Sequence, residues 1–261
     1  MVIEMAEKVL KRELVCKPSE SNAKRELPLT VLTEQIIDIA TDHANFLGIG
    51  YHKLQPRGLG WVLSRLTVEM KRWPATGEKY FLSTWIESWN PHFSERCFSV
   101  ESLEGEILGY VRTVWVIIDL ENHKSVGTAG MKLPEDSVEG VKCPIPKSLR
   151  HRPFEPERST EYTFRYCDLD YYRHVNTVRY ISLLLNRFSL EEFDTHILSR
   201  FEIGFAHEAK YGQTAIIASI DEEVKAPSLL PEATPSFRRT FDVTIEGTQI
   251  LSASIVMSEL F

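Results

Sequence analysis

The sequence predicts an α+β chain in which one plan is used twice: a strand, a long helix, then a run of hairpin-connected antiparallel strands. Three observations predict it. Helical spacing occurs at two places far apart, in Leu32, Ile36, Ile39, Ala40 and Leu47, and again in Val178, Ile181, Ser182 and Leu185. Each is followed by segments of strand periodicity separated by turn residues. The two halves can also be laid over each other. KRWPATGEKYFLSTW then sits against AHEAKYGQTAIIASI, and SNAKRELPL against LDYYRHVNT. The repeat has a long period, and no short repeat or low-complexity tract accompanies it.

The elements follow in order. Residues 1–12 read as a polar lead-in and Glu13 to Cys16 as a first strand. Residues 17–26, KPSESNAKRE, form a loop. Pro28 opens a helix, a position that suits its fixed φ and missing N–H, and Gly48 stops it. In the next segment Val62, Leu66, Val68 and Met70 alternate with Leu63, Arg65, Thr67 and Glu69. Further strands are expected over 79–90, 93–101 and 107–120, with breaks at Pro74–Gly77, Asn90-Pro91, Glu104-Gly105 and Asn122. Residues 133–160 carry four prolines and many charges and read as a linker, either a free tether or a run over the sheet. Domains are therefore expected at 1–132 and 161–261. In the second half a strand ends near Cys167 and a helix covers 174–188. Ser189 with Glu192 makes a capping box for a short second helix. Strands follow at about 200–209, 213–223, 236–246 and 249–258, with Glu246-Gly247 as a turn.

A chain of 261 residues can hold one large or two small domains. Its formal net charge of −7 argues against a nucleic-acid partner. Cys16, Cys97, Cys143 and Cys167 are scattered, with no CxxC pair, which fits a reducing compartment and no metal cluster. No stretch has the length and apolarity of a signal peptide or a membrane span, so a cytoplasmic protein is expected.

The most informative stretch is TFRYCDLDYYRHVNTVRYISLLLN, residues 163–186. It puts Asp168, Asp170 and His174 where a strand hands over to a helix. Amides at a helix start lack intrahelical partners and carry the positive end of the dipole, which suits an anion or a developing oxyanion. Local pattern alone fits an acidic helix start with a surface histidine equally well. Asp168 reads as a turn or cap residue, and Cys97 and Cys167 as small core residues. The tryptophans at 61, 73, 85, 89 and 115 read as core and cleft wall. In the overlay of the halves, Asn22 falls on Asp170, Glu26 on His174, Trp73 on Glu208 and Gly77 on Gly212. Only the second half then keeps a polar cluster.

The motif D-L-D-x-x-x-H-V-N-x-V-R-Y-I, residues 168–181, resembles the second-half motif of the fatty acyl-ACP thioesterases of plants and bacteria. LGWVLSRLTVEMKRWPATGEKYFLSTWIESW and GYVRTVWVIIDL resemble the first-half sheet of that family, and the likeness covers roughly residues 12–258. It implies two tandem hot-dog domains, each a long helix packed on an antiparallel sheet. It implies hydrolysis of the thioester of fatty acyl-ACP, with an acyl carrier protein bearing a phosphopantetheine-linked chain as partner. No cofactor and no metal are implied. Asp170, His174 and Glu208 match the catalytic positions, and Asn176 and Tyr180 match the Asn and Tyr of the following helix. Tyr172 departs from the plant pattern, which has Asn there.

On this resemblance Glu208 or Asp170 takes the proton of an attacking water. His174, hydrogen-bonded to Asp170, orients the water or protonates the leaving thiolate, and amides near Val175 and Asn176 hold the oxyanion. Direct attack by Asp170 stays open, as does a supporting hydroxyl from Tyr172. Docking of an acidic carrier on an acidic chain needs a local basic patch, with Lys71, Arg72, Lys142, Lys147, Arg150, Arg152 and Arg158 as candidates. The competing readings are an acyl-CoA thioesterase, a hot-dog dehydratase and a non-catalytic acyl-binding protein. With two hot-dog units in one chain, a monomer suffices and a homodimer is possible.

Overall fold

The computed structural model describes residues 3–5, 8–128, 130–134, 137–148 and 153–260. The chain divides into two compact units, Met1–Pro146 and Lys147–Phe261.

The first unit contains β1 (Ile3–Met5), β2 (Val9–Val15), α1 (Leu29–Phe46), α2 (Tyr51–Leu54), β3 (Leu59–Met70), β4 (Lys79–Trp89), β5 (Ser94–Ser102) and β6 (Ile107–Asp119). Its strands are antiparallel and lie in the order β1-β2-β4-β5-β6-β3. Pro28 occupies the N-cap of α1, and no proline or glycine interrupts the 18 residues that follow. The stripe Leu32, Ile36, Ile39, Ala40 and Ala44 is buried. Gly48, at φ +70°, turns the chain out of the helix in a conformation that a side chain would strain. At the end of α1, Ala44, Leu47 and Ile49 pack with Ile86 of β4, and Trp61, Trp89, Met131, Leu133 and Val138 close around them.

The second unit contains β7 (Arg158–Thr163), α3 (Thr177–Leu185), α4 (Leu190–Thr195), β8 (His196–Phe205), β9 (Thr214–Val224), β10 (Ser236–Ile245) and β11 (Thr248–Glu259). Its antiparallel strands lie in the order β8-β11-β10-β9-β7. With β7, β9, β10, β11 and β8 set against β2, β4, β5, β6 and β3, the two sheets have the same connectivity. Ser189 and Glu192 cap α4 reciprocally, as their spacing predicts. Glu246 and Gly247, both at positive φ, make the two-residue turn between β10 and β11. Each unit is thus a hot-dog: a helix on an antiparallel sheet.

Four expectations are corrected. The polar lead-in is strand: β2 begins at Val9, and its charges are spent on Lys11–Glu101, Arg12–Asp42 and Glu13–Lys79 ion pairs, which hide the strand pattern. In the second unit the strand ends at Thr163, not Cys167. Tyr166–Asp168 instead forms a 3-10 turn, because the Asp168 carboxylate accepts the Arg165 N–H and the Tyr162 hydroxyl and draws the chain round. Cys167 is therefore exposed rather than core. The helix expected over 174–188 is shorter, since Asn176 caps it and His174 pairs with Lys210 in a β-bridge.

The segment 133–160, expected as a linker, is not a free tether along its first part. Val138 bridges to Ile86, the Trp85 indole N–H donates to the Val141 carbonyl at 2.8 Å, and Arg112 Nε donates to the Ile145 carbonyl at 2.9 Å. Residues 158–160 belong to β7, and residues 135, 136 and 149–152 lie outside the described residues.

Candidate active site

The loop from Leu169 to Asn176 is held by its own backbone and by the turn that follows β8. Asp170 N–H donates to the His174 carbonyl at 2.8 Å, and Arg173, at φ +65°, closes the tight turn with an N–H to the Asp170 carbonyl. The Asp170 side chain completes it: Oδ1 accepts the N–H of Tyr172 at 2.9 Å and that of His174 at 3.1 Å. Val175 N–H donates to the Ala209 carbonyl at 2.9 Å, which sets the loop beside Glu208. The result is an imidazole–carboxylate pair, with His174 Nε2 3.2 Å from Glu208 Oε2. The His174 side chain is 17% exposed and that of Glu208 is 37% exposed, so the pair sits at a half-open surface.

The structure brings His174 and Glu208 into contact and places Asp170 in the same loop. Asp170 was expected to hydrogen-bond the His174 side chain; it meets the His174 backbone instead, and the ring meets Glu208. The amides of Val175 and Asn176 do not serve as open donors. They are committed to the carbonyls of Ala209 and Asp168, because the loop uses them to close. Asn176 Oδ1 accepts the Val178 N–H at 3.0 Å, which makes it the helix cap. The backbone N–H that stays open at the start of α3, among the described residues, is that of Thr177, and it lies at the positive end of the helix. Its signal in the sequence is its place one residue after the cap. Tyr172 joins the loop through its N–H, while its exposed ring leans on Tyr171, with centroids 4.1 Å apart.

Beneath the pair lies Tyr180 of α3, buried between Phe164 and Phe205. Its hydroxyl makes no well-formed hydrogen bond, with the backbone of Ala209 alongside. Burial pushes the phenol well above its ordinary range, and the negative fields of Glu208 and Asp170 push it the same way.

The first unit repeats this loop bond for bond. Asn22 N–H donates to the Glu26 carbonyl, Arg25 at φ +60° donates to the Asn22 carbonyl, and Leu27 N–H donates to the Pro74 carbonyl. Asn22 Oδ1 accepts from Lys24 and Glu26 as Asp170 Oδ1 accepts from Tyr172 and His174. Gly77 and Gly212, at φ +86° and +80°, hold equivalent turns. The overlay of the halves is therefore correct in backbone, and the side chains differ as it predicts. Glu26 stands for His174, with its proton affinity raised by burial, and buried Trp73 stands for Glu208.

Of the basic candidates for carrier docking, Lys71 and Arg72 are paired with Glu106 and Glu78, and Arg158 with Asp221. Lys142 and Lys147 are exposed; Arg150 and Arg152 lie outside the described residues. No described helix is long and apolar enough to cross a membrane.

Comparison with known proteins follows the same two-part division. The family model described as the acyl-ACP thioesterase N-terminal domain matches residues 7–129, and that described as the acyl-ACP thioesterase C-terminal domain matches residues 152–256. A chloroplastic palmitoyl-acyl carrier protein thioesterase of Gossypium hirsutum is 25% identical over 223 residues, covering 77% of this chain and 52% of that protein. The chain spans about half the length of the curated relatives it matches. Among solved structures, an acyl-ACP thioesterase from Bacteroides thetaiotaomicron superposes with a TM-score of 0.82 at 28% identity, covering 97% of this chain and 100% of that one. A 12:0-ACP thioesterase from Umbellularia californica superposes with a TM-score of 0.77 at 19% identity, covering 97% of this chain and 94% of that one, and so shares the fold.

Proposed function

Because the chain belongs to the acyl-ACP thioesterase family, we propose that it hydrolyses the thioester of fatty acyl-ACP, releasing free fatty acid and acyl carrier protein. The contact between His174 and Glu208, one loop away from Asp170, carries this reading. Glu208 takes a proton from water, and the hydroxide adds to the thioester carbonyl carbon. The C–S bond then breaks, and the proton passes through His174 to the leaving thiolate. Asp170 has one oxygen committed to two N–H groups, which lowers its strength as a nucleophile. Water attack, with Asp170 orienting the loop and the water, is therefore the route we favour. The Thr177 N–H, in place of Val175 and Asn176, is the amide we assign to the oxyanion.

The reaction fits fatty acid biosynthesis, where it ends growth of the chain. The four cysteines are all free thiols, which suits the cytoplasm as the compartment. Lys142 and Lys147 are the residues we assign to docking of an acidic carrier.

Release of free thiol from acyl-ACP tests the reading. Glu208→Gln and His174→Ala, folded as judged by circular dichroism, should each lose about 100-fold or more in kcat, the usual worth of a positioned acid or base. Wild-type rates in both variants would remove the assignment. Side-by-side kcat/KM on acyl-ACP and acyl-CoA decides the carrier, with preference for the nucleotide-bearing thiol overturning it.

A further inference from the structure

The two units share a buried arginine at one place in the sheet, and they treat it differently. Arg239 on β10 pairs in register with Asp221 on β9, and Arg96 on β5 pairs in register with Ile86 on β4. Equivalent registers put these arginines at the same position of the repeated plan. Arg239 is saturated with anions: Nε and Nη2 donate to Asp221 at 2.7 Å each, Nη2 also donates to Glu192 at 2.8 Å, and Nη1 donates to the Arg187 carbonyl. Arg96 is equally buried, at 4% exposure, yet both carboxylates are gone. Ile86 replaces Asp221, and the partner from the helix is His43, whose Nδ1 lies 2.7 Å from Arg96 Nη1. A guanidinium has only donors, so Nδ1 accepts, and the imidazole is neutral with its proton on Nε2. Thr84 Oγ1 takes a weaker second bond at 3.3 Å. Among the described residues no carboxylate pairs with Arg96.

A buried cation without an anion is costly, and burial pushes the Arg96 guanidinium down to about 10. What adjoins it is a cavity of about 40 Å³, lined by Ala40, Ala44, Trp61, Trp89, Trp115 and Arg96 itself. That volume holds a few water molecules or one small polar group. Thr41, exposed on α1, also lines the cavity and marks its mouth. The space therefore offers a fixed positive charge at its wall and aromatic faces around it.

We propose that this cavity binds the carboxylate end of an aliphatic chain, a free fatty acid, with Arg96 supplying the counter-charge that Asp221 and Glu192 supply in the second unit. The tryptophan faces cover the first methylenes. A thioester carries no such charge, so the site distinguishes the free acid from a thioester-linked chain. The proposal concerns binding alone and stands or falls independently of the thioesterase reading.

The full chain is titrated with decanoate and with decan-1-ol, reading tryptophan fluorescence, since three of the five tryptophans line the cavity. Decanoate should produce a saturable change at a concentration at least tenfold below that for decan-1-ol. Arg96→Met should bring the two within about twofold, and Ala40→Leu, which fills the cavity and keeps the charge, should abolish the response to decanoate. Equal binding of acid and alcohol by the wild-type protein overturns the proposal, as does a preference for acid that survives in Arg96→Met. If Arg96→Met does not fold, undiminished decanoate binding by Ala40→Leu overturns it. Acetate and chloride at matched concentration separate the sources of charge: displacement of decanoate by either at comparable affinity would make the site a general anion site and overturn the fatty-acid assignment.

Discussion

At the level of single residues, the buried arginine of the second unit is the sharpest test of electrostatics. Burial alone would push the Asp221 carboxyl up, but hydrogen bonds from Arg239 and Arg158 outweigh it and hold the group below its ordinary 3.8. A carboxyl depressed by folding stabilises the protein above its unfolded pKa and loses that contribution as pH falls through the folded value. Arg239→Met should therefore cost about 3–5 kcal/mol at neutral pH, the usual result of breaking a buried pair. The gap to wild type should narrow below about pH 4, and urea unfolding at pH 7 and pH 3 measures it. Tyr180→Phe should act in the opposite direction. Its hydroxyl is buried without a well-formed hydrogen bond, so removal should raise stability by about 1 kcal/mol. A fall in melting temperature would show that the hydroxyl has a partner of consequence. Legibility in the sequence also divides at this level. Asp170, His174 and Glu208 were visible as residue types at fixed offsets. Which of them touch was not, because an Asp that ties a tight turn and an Asp that orients a ring leave the same letter.

At the level of elements, caps and turns were read well because their chemistry is local. Ser189 and Glu192 form their box where spacing put it, and Gly48 ends α1. Ser189→Ala should cost about 1 kcal/mol, measured by thermal unfolding. Gly77→Ala and Gly212→Ala force a side chain into the left-handed region, and each should cost about 1–2 kcal/mol. Similar costs at both positions are expected from equivalent turns. The elements misread were those whose pattern tertiary contacts override. β2 looked polar because its charges find partners on β4, β5 and α1. The strand expected up to Cys167 became a turn because Asp168 captures a backbone N–H.

At the level of the whole molecule, the duplication was legible because glycine and turn residues recur in both halves. The contrast between Arg96 and Arg239 was not, since it depends on which residues face each other across neighbouring strands. The repeated loop has a further consequence. The peptide trace at Asn22 already bends as it does at Asp170, so reactivity was gained or lost by exchanging side chains on an unchanged frame. Every copy of this protein thus carries its own blank. Asn22→Asp, Glu26→His and Trp73→Glu, introduced together, would write the missing letters into it without moving the backbone, and a crystal structure of that variant would show whether a second imidazole–carboxylate contact forms.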